Sequence, residues 1–397
     1  MDNKLYIVMV GLPARGKSTT ATKIRDDLKK DSIKAKIFNN GDLRRELIPN
    51  NTSYAEFYNP NNLEAGAIRE KISLLNVHNA KLYLRRGGQV AILDATNASR
   101  SRRGLIHSQI DDHPILYIEC INNNEEILNA SINRKVDTKE FAHLPPDEAV
   151  ITFKQRISYY ENIYEPLRDE RNIIRLDSLN KKVIHEEIKD TIPYYDQVRD
   201  FLVTDSVKNL YLVRHGETYF NIENRIGGNS ELTEKGIEQA QALGRYFSKK
   251  DIPIIFTSGM KRTIQTAEPI AAGQKKCTII PLAEFNEIDS GICECMSYDE
   301  IRNTMPDIYK ARKKDKYNYV YPEGEGYVTM KERINRGINK VLYLSDISRN
   351  IIIVGHRAAN RMILSHFLFR REEDVPYIYI PQDKFYYISV TQNKKLF

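Results

Sequence analysis

A glycine-rich run with a lysine near the amino terminus limits the possible folds of this chain more than any other feature. Residues Gly11–Ser18 read Gly-Leu-Pro-Ala-Arg-Gly-Lys-Ser, which fits the phosphate-binding loop throughout. The run follows an apolar stretch, Leu5–Val10, that predicts a β-strand, and it precedes a helical pattern. Backbone N–H groups of such a loop converge on phosphate oxygens, so the pattern predicts an ATP site. Its expected residues are Gly11, Ala14, Arg15, Gly16, Lys17, Ser18 and Thr19.

Two residues of the loop and one aspartate have separate predicted roles. Lys17 would neutralise the β- and γ-phosphate oxygens, and the Ser18 hydroxyl would bind Mg²⁺. The predicted strand Gln89–Leu93 ends in Asp94, at the edge of a parallel sheet where ligands bind. Asp94 would hold Mg²⁺ directly or through water, accept a hydroxyl proton, or only cap the next helix. We therefore predict catalytic roles for Lys17 and Asp94, and metal binding by Ser18 and Asp94.

Strand and helix patterns alternate along the whole chain, in two series. The chain has 397 residues, more than the roughly 250–300 at which single cores stop growing. The first series contains predicted strands at Leu5–Val10, Ala35–Phe38, Gln89–Leu93, Ile115–Glu119 and Ile173–Leu176. A predicted helix and a polar stretch within Lys181–Val207 separate it from the second series. That series comprises strands Asn209–Arg214, Ile254–Thr257 and Asn350–Gly355, and helices Thr233–Ser248, Lys261–Ala272, Tyr327–Ser345 and Ala358–Phe369.

This alternation predicts an α/β protein of two domains, each a mainly parallel sheet flanked by helices. We place the domains at residues 1–205 and 206–397. No apolar run approaches the roughly 20 residues that span a bilayer, and no secretory signal is recognisable, so we expect no membrane association. The four cysteines fit neither a disulfide framework nor a zinc pattern, which indicates a reducing, cytosolic setting.

The formal net charge of +7 is compatible with several anionic partners. Lysines and arginines are spread through the motif segments and form no single stripe, which favours small phosphate-bearing molecules over nucleic acid. Arginines follow two of the predicted strand ends, where guanidinium groups can grip an anionic acceptor bidentately. They are Arg44, Arg45, Arg100, Arg102 and Arg103.

An Arg-His-Gly triplet ends the first predicted strand of the second series. It presents His215 beside Arg214 at the carboxyl end of the strand, where a nucleophile can meet a ligand. A second imidazole, His356, follows the strand Asn350–Gly355. Two imidazoles among arginines indicate phosphoryl transfer through a histidine that is unprotonated on its attacking nitrogen.

The leaving alkoxide of such a transfer needs a proton donor. Glu287 is the candidate general acid, but spacing alone does not separate it from Glu217, Glu284 or Asp289.

The first half resembles the kinase half of the 6-phosphofructo-2-kinase/fructose-2,6-bisphosphatase family, a P-loop nucleoside-kinase-like fold. The resemblance covers most of residues 1–205 and lies in Gly11–Lys17, Gly41–Glu46, Asp94–Asn97, Arg100–Arg103, Arg156, Tyr159–Asn162 and Glu165–Leu167. It implies transfer of the ATP γ-phosphoryl group to the 2-hydroxyl of fructose 6-phosphate. The implied sugar-phosphate residues are Arg44, Arg69, Thr96, Arg102, Lys135, Arg156 and Tyr160.

The second half resembles the histidine phosphatase family, formerly grouped with the phosphoglycerate mutases, and specifically its fructose-2,6-bisphosphatase branch. The resemblance runs over Asn209–Phe369. It implies that His215 is the nucleophile, that Glu287 is the acid, and that no metal is used. It also implies a phosphate clamp of Arg214, Arg262 and His356. The expected substrate-binding residues are Asn221, Arg225, Gly227, Tyr298, Arg312, Lys316, Tyr327, Arg357 and Arg361.

One position departs from the family pattern. The glutamine that follows the second histidine in the family is Arg357 here, a bulkier and always charged side chain. The leading hypothesis is an enzyme that makes and hydrolyses fructose 2,6-bisphosphate, and the resemblance implies a homodimer. One alternative has a single active site, with the phosphatase weakened by Arg357. Another alternative is a polynucleotide kinase–phosphatase.

Overall fold

The computed structural model describes residues 3–48, 52–138, 140–205, 207–345, 350–368 and 371–390. The chain divides into two compact units, with Thr204 in the first and Asp205 in the second. Residue 206, where the second predicted domain begins, and Phe369, the predicted end of the last helix, lie outside the described residues. No helix in the described ranges is both long enough and apolar enough to cross a bilayer.

The first unit is built on a six-stranded sheet. Its strands are β1 (Leu5–Val10), β2 (Ala35–Asn39), β3 (Val90–Asp94), β4 (Ile115–Ile121), β5 (Asn172–Asp177) and β6 (Lys182–Ile188). They lie in the order β2-β3-β1-β4-β5-β6, and all neighbours are parallel except β5 and β6. Every residue of β1 is buried, as expected for a central strand covered on both faces. The loops after β1 and β3 therefore emerge side by side at one edge of the sheet.

Helices cover both faces of this sheet. They are α1 (Lys17–Lys30), α2 (Asn40–Leu47), α3 (Leu63–Arg85), α4 (Arg100–Ser108), α5 (Glu125–Val136), α6 (Pro146–Glu161) and α7 (Tyr195–Val203). Side-chain caps set several of the starts: Asn39, Asn62, Ser99 and Asn124 each accept a bond from a backbone N–H of the first turn. These caps fix the residues at which α2, α3, α4 and α5 begin.

The second unit holds a five-stranded sheet. Its strands are β7 (Val207–Arg214), β8 (Ile254–Thr257), β9 (Thr278–Pro281), β10 (Asn350–Gly355) and β11 (Tyr386–Val390). The order is β11-β7-β10-β8-β9, with only the β11–β7 pair antiparallel. The helices are α8 (Tyr219–Ile222), α9 (Glu234–Phe247), α10 (Lys261–Ala272), α11 (Tyr298–Thr304), α12 (Pro306–Lys314), α13 (Tyr327–Leu344) and α14 (Arg357–Phe367). The neighbouring ends of β7 and β10 bring His215 and His356 together.

The predicted α/β class, with two mainly parallel sheets flanked by helices, is confirmed. The helix predicted within Lys181–Val207 is wrong in its first part, where β6 forms an antiparallel edge strand. Its alternation is obscured because three of its seven residues, Lys182, Glu186 and Glu187, are charged, as is common on exposed edges. The strand β9 and the short helices α11 and α12 were not predicted.

Candidate active sites

The phosphate-binding loop takes backbone conformations that few residues adopt. Gly11 has φ +134° and Gly16 has φ +83°, and Ala14 also lies in the left-handed region at +60°. A Cβ atom on Gly11 would lie 2.5 Å from the carbonyl oxygen of Cys120, so no side chain fits there. The Gly11 N–H donates to the carbonyl oxygen of Thr96 at 3.1 Å. That bond joins the loop to the segment that carries Asp94.

Lys17 lies buried at the start of α1 beside Asp94. Its ammonium donates to the carbonyl oxygen of Leu12 at 2.7 Å. Burial lowers the pKa of Lys17 to about 8, although the negative charge of Asp94 opposes the shift. The Asn39 amide donates to Asp94 at 2.6 Å and fixes the carboxylate at the end of β3. The structure thus brings both predicted catalytic residues together, and Asn39 is a support that the sequence analysis did not identify.

The remaining loop residues flank this pair. Ser18 and Thr19 are exposed in the first turn of α1, where helix N–H groups are free of intrahelical partners. Arg15 is buried, and its carbonyl oxygen accepts a bond from the Ser178 hydroxyl at 2.8 Å. Ser18 and Asp94 offer the hard oxygen ligands that suit Mg²⁺, which commonly completes its shell with phosphate oxygens and water.

A buried tyrosine organises several of the predicted sugar-phosphate residues. The guanidinium carbon of Arg156 lies 3.8 Å from the centre of the Tyr58 ring, that of Arg44 lies 5.6 Å away, and that of Arg69 lies 6.0 Å away. The Tyr160 ring lies 5.9 Å from the same ring. Side chains from α2, α3 and α6 therefore meet at Tyr58, which the sequence analysis missed.

A carboxylate also missed by the sequence analysis holds the arginines of this cluster. Glu140 pairs with Arg44 at 2.6 Å, with Arg45 at 2.8 Å and with Arg156 at 3.5 Å. Burial alone would raise the pKa of Glu140, but the charges of Arg44 and Arg156 outweigh it and lower the pKa. Burial lowers the pKa of Arg44 and of Arg156. The Glu140 carboxylate is therefore ionised and balances part of the positive charge of these arginines.

Two further predicted sugar-phosphate residues, Arg102 and Lys135, interact with residues of this cluster. Arg102 donates to the carbonyl oxygen of Arg69 at 3.0 Å, and burial lowers its pKa. The Lys135 charge, on α5, interacts with the charges of Arg156 and Asp94.

Three other arginines from the sequence analysis, Arg45, Arg100 and Arg103, pair with carboxylates of this unit. Arg103 is buried, pairs with Glu170 and donates to backbone carbonyl oxygens, so its predicted anion contact is wrong. Arg100 pairs with Asp169 at 2.9 Å in an exposed position, and exposed Arg45 pairs with Glu140. Their spacing relative to strand ends could not reveal these partners, which come from later in the chain.

The second unit contains a polar cavity of about 310 Å³ at the ends of β7 and β10. The predicted residues that line it are Arg214, His215, Asn221, Arg225, Gly227, Arg262, Glu287, Tyr298, Arg312, Lys316, Tyr327, Arg357 and Arg361. His356, the remaining residue of the predicted phosphate clamp, is not part of the lining.

His215 is held with one ring nitrogen toward the backbone. Its Nδ1 lies 2.7 Å from the carbonyl oxygen of Gly216, so Nδ1 carries the proton that it donates. Burial, and then the positive charges of Arg262 and Arg214, lower the pKa of His215 well below its ordinary value of 6.5. The imidazole is therefore neutral at physiological pH, and the lone pair is on Nε2. The same environment also disfavours the charged form of Arg214. Burial, and then the charge of Arg357, lower the pKa of Arg214 to about 10.

His356 lies next to His215, and the centres of the two imidazole rings are 5.3 Å apart. Its Nδ1 accepts a bond from the Arg262 Nε–H at 3.2 Å, so the proton lies on Nε2, which donates to the Ser258 hydroxyl at 2.8 Å. The side chain is fully buried, and burial followed by the charge of Arg262 lowers its pKa well below 6.5. Both ring nitrogens are thus already paired, and His356 orients Arg262.

Glu287 lies at the amino-terminal end of α14. Its carboxylate accepts bonds from the N–H groups of Ala358 at 3.1 Å and Ala359 at 3.3 Å. Arg333 donates to the carbonyl oxygens of Asn286 and Glu287 at 2.8 Å and 3.2 Å, which fixes the segment that carries the acid.

The other acids that spacing left open lie in different surroundings. Glu284 pairs with Lys340 at 2.7 Å and does not line the cavity. Asp289 also lies outside the lining, whereas Glu217 lines it but pairs with Lys235 at 2.9 Å. Geometry therefore favours Glu287.

Three further cations, Arg312, Lys316 and Arg361, line the same cavity. Arg312 donates to the Tyr298 hydroxyl at 3.3 Å, and Arg361 donates to the Tyr327 hydroxyl at 3.0 Å. Burial, and then the charges of Arg361 and Arg312, lower the pKa of Lys316 to about 8. This group forms a second cationic subsite beside the one around His215.

The loop after α8 completes the cavity. Arg225 pairs with Glu223 at 2.7 Å and with Glu300 at 3.1 Å, so its charge is already neutralised. Gly227, at φ +67°, lies against the Glu294 carboxylate, and an added Cβ atom would overlap it at 2.0 Å. Asn221 accepts a bond from Gln382 at 2.8 Å, and Gln382 is a lining residue that the sequence analysis missed.

Each unit therefore contains a different kind of phosphate site: a P-loop cradle in the first, and a neutral histidine among arginines in the second. Residues 1–208 match the family described as 6-phosphofructo-2-kinase, and residues 210–396 match the histidine phosphatase superfamily, branch 1. The chain belongs to the 6-phosphofructo-2-kinase/fructose-2,6-bisphosphatase family.

Two relatives illustrate the extent of the match. The human 6-phosphofructo-2-kinase/fructose-2,6-bisphosphatase 3 is 33% identical over 96% of this chain and 73% of its own length. The mouse 6-phosphofructo-2-kinase/fructose-2,6-bisphosphatase 1 is 33% identical over 96% of this chain and 80% of its own length. Among solved structures, the alpha-ribazole phosphatase from Shigella flexneri aligns with 47% of this chain and 92% of its own, at 25% identity and a TM-score of 0.42.

Proposed function

We propose that this chain synthesises fructose 2,6-bisphosphate from ATP and fructose 6-phosphate in its first unit and hydrolyses it in its second. The observation that carries the proposal is the presence of two separate and chemically different phosphate sites in one member of the family. Transfer to a hydroxyl needs a triphosphate cradle, whereas hydrolysis without ATP needs a nucleophile of its own.

In the first unit the phosphate-binding loop would hold ATP, with Lys17 at the phosphoryl group that is transferred. Ser18 and Asp94 would hold Mg²⁺, which when bound neutralises charge on the β- and γ-phosphates. Alternatively, Asp94 would accept the proton of the 2-hydroxyl. Burial lowers the pKa of Lys17 to about 8, and incoming phosphates would raise it again and so favour the charged form.

The arginine cluster around Tyr58 would bind the 6-phosphate of fructose 6-phosphate. Arg44 and Arg156 already share the Glu140 carboxylate, so a phosphate would join a preformed cationic site. The remaining contacts would come from Arg69, Thr96, Arg102, Lys135 and Tyr160.

In the second unit Nε2 of His215 would attack the phosphorus of the 2-phosphate. A P–N bond forms as the P–O2 bond breaks, and Glu287 would give a proton to the departing 2-oxygen. Water then attacks the phosphohistidine and would give a proton to the Glu287 carboxylate; a P–O bond forms as the P–N bond breaks, which releases inorganic phosphate and restores His215. Arg214 and Arg262 would stabilise the charge on the transferred oxygens, with His356 holding Arg262 in place.

The second cationic subsite would hold the 6-phosphate during this reaction. Arg312, Lys316 and Arg361 supply three positive groups there, and Tyr298 and Tyr327 brace two of them. A substrate with two phosphates is therefore matched by two groups of cations, which favours a sugar bisphosphate over a monoester.

A slower phosphatase is a second candidate, favoured by the exposed guanidinium of Arg357 on the cavity wall. An additional fixed charge strengthens binding of both substrate and products. We further propose a homodimer, on the basis of family membership, and a cytosolic location, which the four free cysteines favour.

The direct test is incubation of the purified chain with ATP, Mg²⁺ and fructose 6-phosphate, followed by NMR identification of the phosphorylated carbon. We expect fructose 2,6-bisphosphate, which should disappear again once ATP is removed. A product phosphorylated at another carbon, or transfer to a polynucleotide 5′-end in a parallel reaction, would contradict the proposal.

A further inference from the structure

Gln382 lies on the segment that enters β11 and lines the cavity of the second unit. Its Nε2 group lies 2.8 Å from the Asn221 Oδ1 atom. The same nitrogen is 3.4 Å from the carbonyl oxygen of Gly216 and 3.5 Å from that of His215. One side chain therefore touches both the nucleophile's backbone and a predicted substrate-binding residue.

The surrounding groups determine which way both amides face. The Thr218 N–H donates to Asn221 Oδ1 at 3.2 Å, so that oxygen faces the backbone. Gln382 must therefore present its NH₂ group to Asn221. The carbonyl oxygens of His215 and Gly216, which lie near the same nitrogen, are acceptors as well. With its oxygen held by two donors, Asn221 has its own NH₂ group available on the lining of the cavity.

We propose that Gln382 is a positioning residue of the phosphatase site, which sets Asn221 as a hydrogen-bond donor to a phosphoryl oxygen at His215. The inference rests on the proposed phosphatase function and adds to it a residue that the motifs do not contain. Gln382 also contacts the Gly216 carbonyl oxygen, which accepts the His215 Nδ1–H at 2.7 Å. It thereby couples the substrate donor to the nucleophile through one amide.

The first test replaces Gln382 by methionine, which keeps the length and removes the donor. In the full chain, Gln382→Met should lower kcat/KM for fructose 2,6-bisphosphate by about five-fold, the effect of one oriented hydrogen bond. The neighbouring exposed Asp383→Asn is the matched control and should leave kcat/KM unchanged. Far-UV circular dichroism and urea unfolding of each variant report the folding of the second unit, and Gln382→Leu repeats the loss with a different shape.

A double-mutant cycle separates positioning from a general structural effect. In an Asn221→Ala background, Gln382→Met should change kcat/KM by less than about two-fold, because the residue through which it acts is gone. An equal effect in both backgrounds, or no effect of Gln382→Met in the wild-type background, would overturn the inference.

Binding of vanadate gives a readout that does not depend on which phosphate ester is hydrolysed. With the phosphate-binding loop filled by a non-hydrolysable ATP analogue, Gln382→Met should raise the vanadate Kd several-fold relative to Asp383→Asn. An unchanged Kd would contradict the role of Gln382. Failure of the proposed function would instead appear in the wild-type chain, as absence of label on His215 from fructose 2,6-bisphosphate.

Discussion

The Nδ1–H group of His215 donates to the carbonyl oxygen of Gly216 at 2.7 Å. The lone pair is therefore on Nε2, and we predict that turnover places the phosphoryl group on that nitrogen. Rapid quenching with substrate labelled at the 2-phosphate should trap acid-labile, alkali-stable label, which ³¹P NMR would assign to the Nε2 isomer. Label on Nδ1, or label that persists in His215→Asn, would contradict this assignment.

ATP binding should take up protons near pH 8. Burial lowers the pKa of Lys17 to about 8 without nucleotide, and phosphate oxygens beside it should raise the pKa again. Calorimetry in buffers of different ionisation enthalpy should then give uptake of about 0.5 proton at pH 8 and almost none at pH 6.5. Lys17→Met should remove the difference, and equal uptake at both pH values would refute the prediction.

Acidification should destabilise the second unit through its two buried imidazoles. Burial, and then arginine charges, lower the folded-state pKa values of His215 and His356 below 6.5, so below that pH the unfolded chain binds more protons. Stability is therefore lost as the pH falls through 6.5, by up to about 1.4 kcal/mol per pH unit for each group. Urea unfolding of the full chain at pH 7.5 and 5.5 should show a smaller loss in His356→Asn. A loss equal to that of the wild type would be inconsistent with this account.

Arg357 should slow the phosphatase without abolishing it. Among the described residues no carboxylate lies within 4.0 Å of its guanidinium. Glu217 pairs instead with Lys235, and Glu325 pairs with Arg333. Its charge attracts substrate and products alike, which tightens binding and delays release. One partly screened charge is worth on the order of 1 kcal/mol.

We therefore expect Arg357→Gln to raise both turnover and the inhibition constant of fructose 6-phosphate by a few-fold. Exposed Arg302, which does not line the cavity, provides the charge-matched control Arg302→Gln. Unchanged constants, or a lower turnover, would exclude this role for Arg357.

Local patterns predicted much of the framework. Strands β8 and β10 and helix α10 have the predicted bounds, because each combines a clear periodicity with distinct end residues. The edge strand β6 was missed because its charged residues hide the alternation, and its register depends on β5.

The motif residues of the two sites were also found from sequence, but their supports were not. Glu140 reaches Arg44 across 96 positions, and Gln382 reaches Asn221 across 161. Neither Glu140 nor Gln382 belongs to a motif, so only the fold reveals these contacts. The prediction for Arg103 failed in the opposite way. This motif arginine was expected to bind an anionic substrate, but it binds the backbone carbonyl oxygen of Ala98 and the carboxylate of Glu170.

We expect this one chain to hold two independent phosphoryl-transfer sites. The most direct test is a crossed pair of variants, Lys17→Met and His215→Asn, each assayed for synthesis and for hydrolysis of fructose 2,6-bisphosphate. Lys17→Met should lose synthesis and keep hydrolysis, and His215→Asn should do the reverse. Loss of both activities in either folded variant, or retention of hydrolysis in His215→Asn, would contradict the two-site account.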